Sequence, residues 1–442
     1  MFWHFLRFFF NITIRTFYRR IEVKNSEVLR VDKPILIAMN HPNAFMDPIA
    51  FSLRTYPPKV KYLARGDAFK KGFVTYVLNS VGIVPIFRIQ DAGKEGLKKN
   101  DETFRIVNEL LGKNEKIIVF AEGLCIQERR LRPVKKGTAR MVFGAMETLH
   151  DPDLLIVPVG VNYSNAEKFR SFLYYNIGEP IRARDHIQEY RENPGRAMTK
   201  LTQLIESKMK ELVAHVNNKE NDTLVEELQP IYKKQWIAEQ GLDFFNLQHQ
   251  QRYWEHITAG INAADLEQAE ELSSLRKKVS DYSARLKKLK LRDHLIRSKG
   301  EEKEKNFFLI TLAAILGFPF YLIGKALNYV PYKASELITK RTVKNIEFYS
   351  SVNAVAGSFL FLIWYGIELL TLWLIFHNWY CLLAYTLLKV LTGWFALYYS
   401  SFGRKVLGRI RLKMLSRRNK KEVQTLIEDR RSIINTLKNL PD

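Results

Sequence analysis

Cysteine is scarce in this sequence, which has only Cys125 and Cys381 among its 442 residues. The first falls in a segment with alternating strand and helix patterns and the second in a long apolar run, so we do not expect a disulfide between them. So few thiols are typical of a protein from a reducing compartment. Packing as a small apolar side chain is the simplest role for each.

Metal-binding and nucleic-acid-binding patterns are missing as well. None of the nine histidines stands in an H-E-x-x-H or comparable spacing, so the sequence predicts no metal site, and no bound cofactor is expected. There is no zinc-finger spacing, RNA-binding signature or isolated basic arm. Nucleic acid is therefore not the expected partner.

A cleavable signal peptide is a further absence. Residues 1–18 are apolar and aromatic, but Arg7 and Arg15 interrupt them and no small-residue cleavage site follows. This composition favours an aromatic membrane-interface helix within residues 1–30.

Positive charge, by contrast, is abundant. The chain has 69 Lys and Arg residues against 46 Asp and Glu, which gives a formal net charge of +23 and a pI of about 9.7. Such an excess indicates an anionic partner. Because the long apolar runs lie after residue 305, membrane lipid is the favoured partner.

An α/β domain is predicted for residues 31–217. Short apolar runs rich in β-branched residues alternate there with helical stretches, which is typical of a mostly buried mixed sheet flanked by helices. The predicted strands are 34–39, 59–64, 83–87, 116–120, 154–161 and 171–178. The predicted helices are 45–54, 67–80, 98–112, 138–149 and 195–217.

The second half of the chain is predicted to be helical. Residues 218–305 are charged and lack strand patterns, and residues 306–400 form a membrane region. Within that region we expect a helix at 306–324 that is broken at Gly317-Phe318-Pro319, and a hairpin of two spans at 352–376 and 379–399. A basic cytoplasmic tail follows at 401–442.

The distribution of basic residues predicts the orientation of the membrane region. Lysines and arginines are concentrated at 325–347 and after residue 403. By the positive-inside rule, both stretches should be cytoplasmic. The broken helix then does not cross, and the α/β domain lies on the cytoplasmic face, by default that of a bacterial inner membrane.

A histidine and an aspartate follow the first buried strand. In the segment NHPNAFMD, His41 comes just after the strand and Asp47 lies on the first turn of the next helix. The carboxylate can orient the imidazole and leave the other ring nitrogen to take a proton from a hydroxyl. A turn histidine with a helix-capping aspartate fits the spacing equally well.

Charged residues also follow other predicted strands. Ligands bind at the carboxyl ends of the strands in open α/β sheets, and guanidinium groups bind phosphate well. Taken singly, such residues are more often solvated surface groups. The candidates for a substrate-binding site are Arg88, Glu122, Gly123, Arg130, Arg132 and Lys135.

Four segments in this order, NHPNAFMD, GIVPIFR, FAEG and VPVGV, resemble the four motifs of the glycerolipid acyltransferase superfamily. The resemblance covers about residues 30–215. It implies that His41 is the general base and Asp47 its orienting partner. It also implies that Arg88 binds the acceptor phosphate and that the Glu122-Gly123 segment helps to bind glycerol phosphate.

The same resemblance implies an O-acyltransferase of phospholipid synthesis. The donor would be an acyl thioester of coenzyme A or acyl carrier protein, and the favoured acceptor is 1-acylglycerol 3-phosphate, with glycerol 3-phosphate next. The alternative is a non-catalytic membrane scaffold that has an acyltransferase-like fold.

The sequence departs from the common family pattern at two places. Five residues, rather than four, separate His41 from Asp47, which is closer to the branch that includes the fungal glycerol-3-phosphate/dihydroxyacetone-phosphate acyltransferases. Leu124-Cys125-Ile126 replaces the usual Thr/Ser-Arg-Ser after Glu-Gly. The phosphate-binding arginine is therefore not at its usual place, and the candidates to replace it are Arg130, Arg132 and Lys135.

Overall fold

The computed structural model describes residues 2–57, 59–65, 72, 75–76, 80, 82–86, 102–301 and 307–441. The chain divides into two units. The first consists of Met1–His215 and Val343–Ala354, and the second of Val216–Thr342 and Val355–Asp442. The first unit therefore includes a short segment from far along the chain, which sequence analysis assigned to the membrane region.

A mixed sheet forms the centre of the first unit. Its strands within the described residues are β1 (Arg20–Lys24), β2 (Ile35–Met39), β3 (Val60–Arg65), β4 (Ile83–Ile86), β5 (Lys116–Phe120), β6 (Leu155–Tyr163), β7 (Phe172–Ile177) and β8 (Ile181–Arg182). Their order is β1-β7-β6-β2-β5-β3-β4, and β8 pairs with β6. β6 is antiparallel to β7 and β8, and the other pairs are parallel.

Strand β2 has a core on both faces. All five of its residues (ILIAM) are buried. Ile37 and Met39 belong to one apolar cluster, and Leu36 and Ala38 to another on the opposite face. A strand that is buried on both faces has a continuous apolar sequence, which explains why β2 could be predicted from the sequence.

Helices flank this sheet. They are α1 (Phe2–Phe17), α2 (Met46–Thr55), α3 (102–111), α4 (Gly137–Thr148), α5 (Arg184–Glu192) and α6 (Pro194–Lys210). The prediction of an α/β fold with a mixed, mostly buried sheet between helices is confirmed. The helix predicted at 67–80 lies almost entirely outside the described residues.

The N-terminal residues contribute to the core as well as to the surface. Phe5 and Phe8 of α1 are 63% and 66% exposed, whereas Phe17 and Tyr18 at its end are buried. The chain then forms β1, which pairs with β7. Sequence analysis did not include this strand, because its sequence RIEVK has charged residues at both ends and little apolar character.

The second unit is helical. It contains α7 (Asp222–Glu239), α8 (Leu247–Glu267), α9 (Ala269–Lys288), α10 (Asp293–Glu301), α11 (Phe307–Thr342), most of α12 (Tyr349–Phe376), α13 (Trp379–Arg418) and α14 (Lys420–Lys438). The apolar residues of α9 at three- and four-residue spacing, from Leu272 to Leu286, are buried.

Three of these helices are long and apolar enough to cross a membrane: Phe307–Thr342, Ile346–Phe376 and Trp379–Arg418. The prediction of a helix broken at Gly317-Phe318-Pro319 is wrong, because α11 continues without interruption through Pro319 and Pro331. The Tyr399 hydroxyl of α13 donates a hydrogen bond to the carbonyl of Ala314, so α13 packs against α11 close to this region. Apolar helices tolerate proline where a neighbouring helix packs against them.

Candidate active site

The loop after β2 brings His41 and Asp47 together. The chain turns at residues 40–45, and α2 begins at Met46, so Asp47 lies in the first helical turn. His41 Nδ1 and Asp47 Oδ2 are 2.9 Å apart. Of the two sequence interpretations, this contact supports the paired imidazole and carboxylate.

Asp47 is held by three hydrogen-bond donors. Its side chain is fully buried. Oδ1 accepts a hydrogen bond from the Tyr163 hydroxyl at 2.6 Å, and Oδ2 accepts one from the backbone N–H of Asn43 at 2.8 Å in addition to the His41 contact. A buried carboxylate with three donors has a fixed position, and it fixes the ring that it contacts.

His41 is held on its ring face by Phe120, the last residue of β5. The ring centroids are 3.6 Å apart and the planes differ by 12°. The His41 side chain is 15% exposed. Because Nδ1 faces Asp47, Nε2 is the nitrogen that can accept a proton from a bound hydroxyl.

Glu122 links the loops after β2 and β5. These strands are parallel neighbours, with Met39 opposite Phe120, so their carboxyl ends lie side by side. Glu122 accepts hydrogen bonds from the backbone N–H groups of His41 (3.2 Å) and Arg132 (3.0 Å). Burial raises the pKa of Glu122 to about 7, although these two N–H groups and the charge of Arg132 counteract the rise.

The basic residues after Glu122 have a shared partner. Arg130 Nε and Arg132 Nη2 contact opposite oxygens of Glu128 at 2.7 and 2.9 Å. Partial burial acts to raise the pKa of Glu128, but the hydrogen bonds and charges of the two arginines outweigh it and leave the pKa below its ordinary value. The side chains of Arg130 and Arg132 are 27% and 30% exposed, and Lys135 is exposed.

Gly123 and Arg88 are the other two residues predicted to bind substrate. Gly123 has φ +69°, a conformation that favours glycine, and lets the chain turn directly after Glu122. Arg88 lies outside the described residues. The roles of Arg88, Glu122, Gly123 and the basic residues in substrate binding remain predictions.

Cys125 is close to the His41 loop but is a poor candidate nucleophile. Its Sγ accepts a hydrogen bond from the backbone N–H of Ala44 at 3.1 Å. Burial, followed by the negative charge of Asp47, raises the pKa of the Cys125 thiol well above its usual range. A thiol of this kind is seldom ionised and reacts slowly.

The residues that hold the pair in place were not predicted from the sequence. Asn40 clamps the loop to β6, since its side chain accepts from Val161 N at 2.6 Å and donates to Val161 O at 3.2 Å. Tyr163 and Asn43 hold Asp47 directly. The available signals were weak: Asn43 lies inside the NHPNAFMD segment, and Tyr163 follows VPVGV by two residues. Within the described part of the chain, no group of three or more His, Cys, Asp or Glu residues could hold a metal ion.

Comparison with known proteins identifies the class to which this domain belongs. The family model described as Acyltransferase matches residues 20–162, which contain the His41–Asp47 pair and Glu122. These residues therefore form an acyltransferase domain. The family model and the similar proteins described below support the glycerolipid acyltransferase superfamily for this domain.

Two of these relatives are yeast enzymes. The chain is 25% identical over 257 residues to glycerol-3-phosphate O-acyltransferase 1 of Saccharomyces cerevisiae, a match that covers 54% of this chain and 32% of the relative. It is 33% identical over 107 residues to glycerol-3-phosphate O-acyltransferase 2 of the same yeast, covering 24% of this chain and 14% of the relative. The matches thus span a third or less of the length of these proteins.

A solved structure is similar at lower identity. It is that of the 1-acyl-sn-glycerophosphate (LPA) acyltransferase PlsC from Thermotoga maritima, with a TM-score of 0.34 and 17% identity. The match covers 47% of this chain and 75% of that one.

Proposed function

We propose that this protein transfers an acyl chain from an acyl thioester to a hydroxyl of glycerol 3-phosphate. The observation that carries the proposal is the 2.9 Å contact between His41 Nδ1 and the buried carboxylate of Asp47, within a domain of the acyltransferase family. This contact leaves Nε2 free to act as a general base on an alcohol.

The reaction needs no enzyme nucleophile. His41 Nε2 takes the proton from the acceptor hydroxyl as its oxygen attacks the thioester carbonyl carbon. The carbon–sulfur bond then breaks, and the leaving thiolate takes the proton back from the imidazolium. The negative charge of Asp47 stabilises the imidazolium between these two steps.

Arg130 and Arg132 are the described residues best placed to bind the acceptor phosphate. They follow Glu122 in the chain, and Glu128 holds their guanidinium groups together. Each guanidinium has five N–H donors, so pairing with Glu128 leaves donors for a phosphate. Lys135 and, from outside the described residues, Arg88 are further candidates.

The proposal of an acceptor substrate follows the names of the curated relatives. Sequence analysis favoured 1-acylglycerol 3-phosphate, but two curated relatives are named as glycerol-3-phosphate O-acyltransferases. We therefore propose glycerol 3-phosphate as the preferred acceptor. The thioester of coenzyme A or of acyl carrier protein remains the proposed donor, with no bound cofactor.

The membrane setting is part of the proposal. Among the described residues, three helices are long and apolar enough to cross a bilayer, and the acyl donor chain and the product both partition into lipid. We place the acyltransferase domain on the cytoplasmic face, with bacterial inner membrane as the proposed compartment. The non-catalytic scaffold is disfavoured because His41, Asp47 and their supporting hydrogen bonds are all present.

Release of free thiol tests the acceptor. Detergent-solubilised protein would receive palmitoyl-coenzyme A with glycerol 3-phosphate, with 1-acylglycerol 3-phosphate or with neither, and the same three conditions would be repeated with palmitoyl-acyl carrier protein. We expect release that depends on glycerol 3-phosphate. Release with only the 1-acyl acceptor would overturn the acceptor choice, and no release with any donor would favour the scaffold.

A further inference from the structure

We propose that the linker between the first two apolar helices, residues 343–354, belongs to the active site and that Ser350 in it is a positioning residue for the His41–Asp47 pair. The inference rests on the proposed function. It concerns a segment that lies far beyond the acyltransferase match at residues 20–162. We refer to this segment as linker 343–354.

Ser350 makes a direct hydrogen bond to the catalytic loop. Its hydroxyl donates to Asn43 Oδ1 at 2.5 Å, and both residues are 1% exposed. A hydrogen bond buried to this extent has no water to replace it. Loss of the hydroxyl would leave the Asn43 carbonyl oxygen without this donor, which is costlier than the loss of an exposed contact.

Asn43 connects Ser350 to Asp47 through hydrogen bonds. Its backbone N–H donates to Asp47 Oδ2 at 2.8 Å, the same oxygen that contacts His41. Its side-chain amide donates to the carbonyl of Ala166 at 3.0 Å and to the Tyr18 hydroxyl at 3.4 Å. The Asn43 side chain therefore has partners on three separate segments, and Ser350 is the one that comes from the membrane region.

Apolar packing fixes linker 343–354 in the same place. The Phe348 ring packs edge-on against Phe45, with 6.1 Å between centroids and 70° between planes. Ala354 is buried in the apolar cluster that also contains Tyr18 and Met46. Hydrogen bonding and packing thus join the linker to the loop that carries the catalytic pair.

Linker 343–354 is covalently connected to two candidate membrane spans. Linker 343–354 begins directly after α11 and contains the first residues of α12, both of which are candidate membrane spans. A shift of these helices in the membrane would pull on Ser350 and, through Asn43, on Asp47. Catalytic geometry is thereby tied to correct placement of the membrane helices.

The chain offers a matched control for a test. Ser351 is also 1% exposed, but among the described residues its hydroxyl has no hydrogen-bond partner. Ser350→Ala and Ser351→Ala remove the same atom from equally buried neighbours. Only the first change removes a contact to the catalytic loop, and Ser350→Thr retains the hydroxyl.

Two readouts on the full chain in detergent test the proposal: backbone hydrogen exchange of residues 40–48 and steady-state kinetics with glycerol 3-phosphate. In Ser350→Ala we expect faster exchange in this segment and a roughly tenfold lower kcat, with a KM within about twofold of wild type. Ser350→Thr should recover part of the loss, and Ser351→Ala should match wild type.

The outcomes separate this proposal from the proposed function. Unchanged exchange in Ser350→Ala, or equal effects of Ser350→Ala and Ser351→Ala, would overturn the role of linker 343–354 whatever the activity. A second outcome would be faster exchange in Ser350→Ala alone, together with no thiol release by the wild-type protein from any donor. It would support the structural link through linker 343–354 and overturn the acyltransferase assignment.

Discussion

At the residue scale, the carboxylate of Asp47 is the best-restrained group of the site. His41, Asn43 and Tyr163 all contact its two oxygens, and the side chain has no exposure to solvent. Burial, followed by the nearby charge of Asp47, raises the pKa of Tyr163 well above its ordinary value. Its phenol therefore stays protonated and remains a hydrogen-bond donor to Asp47.

Replacing Tyr163 by Phe should lower kcat by roughly ten- to hundredfold, since a hydrogen bond to a charged group is worth about 1.5–3 kcal/mol. The expected change is in kcat rather than KM, because Tyr163 holds Asp47. Steady-state kinetics would measure it. Tyr62→Phe is a suitable control, because Tyr62 is also buried and its hydroxyl has no partner among the described residues. Equal activities of the two variants would contradict the role of Tyr163.

Glu122 should make stability depend on pH. Its pKa in the folded chain is about 7 against an ordinary value of 4.5, so the folded state retains the proton over a range in which the unfolded state has lost it. The contribution of Glu122 to stability is full below pH 4.5 and is lost as the pH rises towards 7. In Glu122→Gln this part of the pH dependence should disappear.

Thermal unfolding in detergent at pH 5 and pH 7.5 checks this prediction. Wild type should lose more stability between the two values than Glu122→Gln does. Glu179→Gln is the control, because Glu179 is exposed and belongs to the same unit. Identical pH dependence in wild type and Glu122→Gln would show that Glu122 does not titrate in this range.

The sequence was sufficient to find His41 and Asp47, because both lie in one short segment at a spacing that suits their contact. It was insufficient for Tyr163 and Ser350. Their positions relative to Asp47 depend on strand order and on the return of the chain after α11, and neither is encoded locally. A tyrosine or serine hydroxyl has no sequence signature that indicates its partner.

At the element scale, the register of the central strands builds the site. β2 lies between β5 and β6, with Met39 opposite both Phe120 and Val159. The residues that follow β2 and β5 therefore meet at one edge of the sheet. Ligands bind at the carboxyl ends of the strands in such sheets, which is why residues at strand ends were predicted to form the site.

Close packing between β6 and the segment after α6 gives a test at this scale. A Cβ added at Gly160 would lie 2.2 Å from the carbonyl oxygen of Leu212, which is backbone and cannot simply rotate away. Gly160→Ala should therefore destabilise the first unit by about 1–3 kcal/mol or more. Gly144→Ala, in α4 with nothing within 4 Å of the added Cβ, should be neutral or stabilising by up to about 1 kcal/mol.

Melting temperatures of the two glycine variants would be compared with wild type under one detergent condition. If Gly160→Ala had the same melting temperature as wild type, this would contradict the close approach of Leu212 to Gly160.

Elements that sequence analysis missed or misread have physical explanations. β8 has only two residues, and α5 has the charged sequence RDHIQEYRE with a single buried residue, so neither carries a clear apolar pattern. The break predicted at Pro319 followed the rule for water-exposed helices. In an apolar helix packed against a neighbour, the lost backbone hydrogen bond is tolerated and the helix continues.

At the scale of the whole molecule, the acyltransferase unit is assembled from two distant parts of the chain. Residues up to His215 form the sheet and its helices, and Val343–Ala354 returns to the same unit after α11. The sequence predicted an α/β domain followed by a membrane region. It could not predict the return of the chain, because linker 343–354 is short and lies between two long apolar runs, which predict a continuous membrane region.

The rate of acyl transfer by His41→Ala is the most direct test of the central claim, that His41 held by Asp47 is the general base. Thiol release from palmitoyl-coenzyme A with glycerol 3-phosphate would be measured for wild type, His41→Ala and His186→Ala, a control histidine on α5. We predict that His41→Ala loses at least a hundredfold in kcat, the usual contribution of a general base, while His186→Ala retains wild-type activity. Near wild-type release by His41→Ala would contradict the account.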